Sequence, residues 1–131
     1  MRVKQIIIGK AADLATTLGS PSDFAADLLL VFGGIEQFTL PGLSELLRCT
    51  FPDAMLLGCS TAGEITADGV NDGTCTITAI KFDQTRLAQG STCLSGMDDS
   101  FAAGERLGKQ IAAPGLKAVL VFGPGVQING S

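Results

Sequence analysis

Asp27-Leu28-Leu29-Leu30-Val31-Phe32-Gly33-Gly34 is an almost unbroken apolar run closed by two glycines. That is the pattern of a central strand covered on both faces, and it is expected to be the first core strand. Beyond it, Leu40-Pro41-Gly42 leads into a stretch where Leu43, Leu46 and Leu47 recur at helical spacing, with Pro41 placed near a helix start. Phe51-Pro52-Asp53 then turns the chain into the short apolar run Ala54 to Leu57, a second buried strand. Strand, helix, strand makes a βαβ unit, with a right-handed parallel connection as the default.

Upstream, the segment from Arg2 to Leu18 opens with Ile6-Ile7-Ile8 and continues through Ala11, Ala12, Leu14, Ala15 and Leu18, whose spacing suits a short helix. Gly19 to Asp23 breaks it. Downstream, Asp68-Gly69 and Asn71-Asp72-Gly73 are turn signals, and Thr74 to Phe82 is rich in β-branched residues in near alternation. Leu87 to Leu94 is expected to pair with it as an antiparallel ribbon appended to the parallel core. Asp98, Asp99 and Ser100 start a helix carrying Phe101, Leu107 and Ile111, which Pro114-Gly115 stops. A last strand, Lys117 to Phe122, echoes Asp27 to Phe32 and also ends in glycine. The expected fold is therefore α/β: a mixed sheet with a βαβ unit and an antiparallel ribbon, helices packed on the sheet, in one domain over residues 1–131. Because that last strand has nothing following to cover it, the chain reads as a fragment of a longer protein or as a piece completed by a second chain.

The 131 residues, 46% of them hydrophobic, suffice for a core that removes about two-thirds of the unfolded chain's surface from water. A net charge of −4 with scattered Lys and Arg disfavours nucleic-acid binding, and without Trp or Tyr there is no aromatic platform for bases. No apolar run approaches the roughly 20 residues of a membrane span, and no signal-like segment opens the chain, so a cytoplasmic location is expected. Cys49, Cys59, Cys75 and Cys93 are far apart and the chain has no His, which argues for four reduced thiols and against zinc. Neither a metal nor another cofactor is called for.

The expected site is Gly58-Cys59-Ser60-Thr61-Ala62-Gly63-Glu64-Ile65, where the chain crowds small polar residues together just beyond a strand's carboxyl end. Ligands of such folds lie there. Three enzymatic readings bear on its residues. Gly58 and Gly63 have the P-loop spacing, but Glu64 and Ile65 stand where Lys and Ser or Thr must hold phosphate and magnesium. A serine-hydrolase elbow needs a second glycine where Ala62 stands, and the usual histidine base is missing. Cys59 as a thiol nucleophile, activated by surrounding N–H donors, stays open beside its reading as a small buried hydrophobe.

A binding role suits the segment better. Backbone N–H groups around Ser60 to Gly63 would take a carboxylate or other anion, Ser60 and Thr61 would add hydroxyl contacts, and Glu64 would accept an ammonium or hydroxyl. Asn129, in the terminal Gly123 to Ser131 loop, would close from beside it.

At these residues the chain resembles the N-terminal part of the FIST family (F-box and intracellular signal transduction proteins). The resemblance is carried by the strand Asp27 to Phe32, the helix Leu43 to Leu47, Phe51-Pro52, the Gly58 to Ile65 motif, the β-rich Thr74 to Phe82, and Val119 to Ser131 with its Asn-Gly. It implies a cytoplasmic sensory domain of bacterial signalling proteins that binds small molecules such as amino acids or their derivatives and performs no chemistry. Full members continue into a C-terminal part. The partners implied are a small-molecule ligand and that C-terminal part or a signalling protein, with a homo-oligomer left open.

Overall fold

A computed structural model describes residues 1–9, 14–18 and 21–125, the side chains of residues 14 and 15 excepted. The chain divides into two compact units, Met1–Thr85 and Arg86–Ser131.

The first unit is built on a four-stranded mixed sheet. Its strands are β1 (Arg2–Ile8), β2 (Leu28–Gly33), β3 (Met55–Ser60) and, after a small ribbon of β4 (Glu64–Thr66) and β5 (Gly69–Asn71), β6 (Cys75–Lys81), in the order β1-β6-β2-β3. β6 runs antiparallel to both its neighbours, whereas β2 and β3 are parallel, Leu28 opposite Met55 and Gly33 opposite Ser60. Between β2 and β3 the chain forms a single-turn helix, α2 (Ile35–Phe38), and then α3 (Leu43–Thr50), so the βαβ unit stands as expected. The core gathers Ile8, Leu29, Val31, Cys75, Ile77 and Ala79 from one sheet face with Leu18 of α1 (Leu14–Leu18) and Leu43 and Leu47 of α3. Alternate strand residues point the same way, so those six share the covered face. Thr50 fastens the two helices, its hydroxyl donating to the carbonyls of Leu18 and Leu46.

Asp27 pins the far end of the sheet. Its carboxylate accepts from Lys81 Nζ and from the Phe82 N–H, while its own N–H donates to the Ile80 carbonyl. The Lys81 bond, aided by the Phe82 N–H, holds the Asp27 carboxyl below its ordinary range.

Several sequence expectations change. Asp27 to Phe32 is the second strand, because Arg2–Ile8 forms a ladder with β6 from Arg2 opposite Lys81 to Ile8 opposite Cys75. The antiparallel ribbon exists, but it is β4 (Glu64–Thr66) with β5 (Gly69–Asn71), turned at Asp68-Gly69. Leu87 to Leu94 forms no strand. Thr74 to Phe82 cannot pair with it, since β6 already has β1 on one edge and β2 on the other. The strand reading of Ala54 to Leu57 ends too early: β3 runs on through Gly58, Cys59 and Ser60, so only Thr61 to Gly63 is loop.

In the second unit, the helix predicted after Asp98 is a 3-10 turn (Met97–Asp99) continuing into α4 (Ser100–Ile111). Arg106 on α4 makes two hydrogen bonds to the Asp99 carboxylate and two to the extended chain at Thr92 and Cys93, and Gln110 exchanges bonds with Ser91. The Arg106 bond, with the Ser95 N–H beside it, pulls the Asp99 carboxyl down to about 2. Lys117 to Phe122 is not a strand; no other strand stands among the described residues of its unit to pair with, and Leu120 and Val121 are exposed.

Candidate functional site

The parallel strands β2 and β3 end side by side at Gly33 and Ser60, and β6 begins at the same end with Cys75 opposite Gly33. Two backbone bonds stitch the three ends together: Thr61 N–H donates to the Gly33 carbonyl at 2.9 Å, and Gly34 N–H to the Thr74 carbonyl at 3.3 Å. Just beyond lies a pocket of about 330 Å³. Residues 34–36 after β2, 60–64 after β3, and 72–73 before β6 wall it. It therefore occupies the position beyond the carboxyl ends of parallel strands where α/β sheets bind ligands.

Glu64 is the buried group of this wall, 4% exposed. Its two carboxylate oxygens are held separately, Oε1 by the Thr61 hydroxyl at 2.5 Å and Oε2 by the Thr74 hydroxyl at 2.6 Å. Burial on its own pushes the carboxyl up, but those two hydroxyls and the Thr74 N–H together outweigh it, leaving Glu64 below its ordinary value and ionised. Behind it Cys75 is fully buried, and burial together with the Glu64 charge pushes its thiol up to about 11.

Two more carboxylates line the pocket, each seated against a glycine. A Cβ on Gly34 would meet Glu36 Oε1 at 2.9 Å, and one on Gly63 would meet Asp72 Oδ1 at 3.0 Å. Among the described residues, the lining contains no Lys or Arg. One wall residue, Gly73, accepts at its carbonyl from Gln37 Nε2 at 2.9 Å; the Gln37 side chain is 5% exposed and its Oε1 has no partner among the described residues. Polar character at this pocket is thus dominated by acceptors. No group of three or more His, Cys, Asp or Glu among the described residues is placed to hold a metal ion.

Of the residues expected from sequence, Ser60, Thr61, Ala62, Gly63 and Glu64 border the pocket. Gly58 and Cys59 lie back in β3 and are not part of the wall. Gly58 is there for close approach, since a Cβ would fall 2.1 Å from the Val31 carbonyl oxygen. Asn129 lies outside the described residues. The Thr61 N–H, one of the backbone donors expected to meet an anion, is spent on Gly33.

Sequence reasoning missed Glu36, Asp72 and Thr74. A signal existed for Glu36: it follows the glycines that close β2, and β2 ends beside β3 in any βαβ unit. Asp72 sits in Asn71-Asp72-Gly73, which sequence presents only as a turn, and Thr74 reaches Glu64 only because the β4–β5 ribbon folds back.

Among the described residues no helix is long and apolar enough to cross a membrane. The FIST N domain family profile matches residues 27–131, from the start of β2 through the whole site. The chain matches none of the curated proteins and none of the solved structures compared with it. FIST domains are sensory domains of signal transduction rather than enzymes. With a match spanning most of its length, and with the motif Gly58 to Ile65 leading from β3 into the pocket wall, the chain belongs to the FIST N domain family.

Proposed function

We propose that the chain is a small-ligand sensor of a cytoplasmic bacterial signalling protein, with an amino acid or amino-acid derivative as its ligand. The observation that carries this is the pocket beyond β2 and β3, in which a buried, ionised Glu64 forms part of the wall. A carboxylate kept charged by hydroxyl bonds at a pocket surface is a recognition group for an ammonium or hydroxyl. Ser60 at the end of β3 and Thr61 beside it add hydroxyl contacts. A volume of about 330 Å³ suits a small molecule rather than a peptide. Binding passes to an output through a C-terminal part of the protein or a signalling partner.

Calorimetric titration of amino acids and their derivatives into the protein tests this, with Ser60→Ala and Glu64→Gln as comparisons. Saturable heat that both substitutions weaken supports the reading. Heat unchanged by either, or none with any compound, removes it.

A further inference from the structure

Resting on that proposed pocket, we infer that it selects a net-cationic amine, the decarboxylated or carboxyl-masked counterpart of an amino acid, over the free amino acid itself. Three carboxylates from three segments of chain face the cavity: Glu36 after β2, Glu64 at the start of β4 and Asp72 before β6. Among the described residues none is paired with a cation in the wall, where no Lys or Arg stands, and the chain has no His. The three salt bridges of Lys4, Lys81 and Arg106 use Asp23, Asp27 and Asp99, all elsewhere.

The carboxylates are seated rather than merely gathered. Glu64 is fixed through both oxygens by Thr61 and Thr74. Glu36 and Asp72 occupy the space that side chains on Gly34 and Gly63 would fill. An independent observation points the same way. Gln37, 5% exposed, spends its only donor group on Gly73 of the wall and is left with an unpartnered acceptor, Oε1. Buried acceptors in folded proteins are normally satisfied, so Gln37, bonded to the wall at Gly73, is short of a donor among the described residues. An ammonium brings three donors and a positive charge. The carboxylate of a free amino acid brings neither, and it would sit among like charges in a partly desolvated site, where such juxtaposition is strongly unfavourable.

The three carboxylates do not form a metal-holding group, so a ligand long enough to lie between them, rather than a point cation, fits the arrangement. A primary amine with a polar or second amino end would place one donor group at Glu64 and the other at Glu36 or Asp72.

The test is calorimetric titration of the intact chain with matched pairs that differ only in the carboxylate: ethanolamine against serine, and putrescine against ornithine. The amine of each pair is expected to bind about tenfold or more tightly than its parent acid, and to lose affinity as salt is raised. Asp72→Asn and Glu36→Gln alter exposed side chains that donate nothing to the core, and each is expected to weaken the amines more than the acids. Should the acids bind as tightly as the amines, and still respond to Asp72→Asn, the selectivity is wrong while the pocket stands. Should no member of either pair bind, or should binding ignore both substitutions, the inference falls, and the proposed pocket falls with it only if no other amino acid or derivative gives saturable heat.

Discussion

Gly58→Ala is the substitution that most directly probes how the pocket is held, because the site depends on two parallel strands ending in register. An added Cβ would lie 2.1 Å from the Val31 carbonyl oxygen and 3.0 Å from both the Val31 carbonyl carbon and its Cβ. Ordinary contact begins near 3.4 Å, so β3 would have to move away from β2 by more than an ångström. A backbone hydrogen bond of about 2.9 Å stretched that far is lost. Losing two such bonds at about 1 kcal/mol each, with about 1–3 kcal/mol of overpacking, puts the expected destabilisation at about 3–5 kcal/mol. Gly63→Ala is the matched control. There the nearest obstacle is the Asp72 Oδ1 at 3.0 Å, the free end of a side chain that can turn aside, so a cost below about 1 kcal/mol is expected. Urea denaturation of both variants, followed by circular dichroism, gives the comparison. If Gly58→Ala unfolds within about 0.5 kcal/mol of the unsubstituted chain, the pairing of Val31 with Gly58 is wrong, and the alignment of Gly33 with Ser60 falls with it.

Three further outcomes are expected. Glu64 has a folded-state carboxyl below its ordinary value of 4.5, so its stabilisation is complete above that pH and is lost as pH falls through the lower folded value. Glu64→Gln should therefore cost about 1–3 kcal/mol near neutrality and progressively less below pH 4.5; a penalty independent of pH would contradict the ionised assignment. The fully buried Cys75, its thiol pushed up to about 11, should be the last cysteine alkylated in the native chain, with Cys49 and Cys93 first; mass spectrometry showing Cys75 modified as fast as Cys49 would place it wrongly. Gly104, inside α4 with open space where a Cβ would stand, should accept alanine with a gain of about 0.5–1 kcal/mol, and a loss in thermal melting would mean that helix is not formed there.

What sequence made legible in the fold follows from which interactions are local. β2 and β3 are apolar on consecutive residues and bracket a helix with Leu43 and Leu47 inward, so periodicity alone identifies the βαβ unit. β1 escaped because it lies at an edge of the sheet, where Arg2, Lys4 and Gln5 are exposed and interrupt the apolar run that Ile6 to Ile8 suggests. β6 was recognisable as a strand, but its partners are 42 residues or more away in β2, from Gly33 opposite Cys75, and farther still in β1. A hairpin to the next apolar segment is the economical guess from sequence, and it fails because a central strand has no edge left to offer.

The same distinction explains the site. The five residues from Ser60 to Glu64 were visible because they are consecutive and sit after a strand, yet sequence could not say which of them would be buried. Burial sets them apart. Ser60 is exposed, whereas Glu64 is enclosed with two threonine hydroxyls, one from its own loop and one ten residues later. The anion-binding expectation grew from counting the donors in one segment, and a loop read in isolation does favour anions. Assembled, that segment shares its pocket with Glu36 and Asp72, and its Thr61 N–H is already committed to Gly33. Charge at a pocket is a property of every segment that reaches it, so a motif that supplies one carboxylate of three cannot by itself disclose the sign of its ligand.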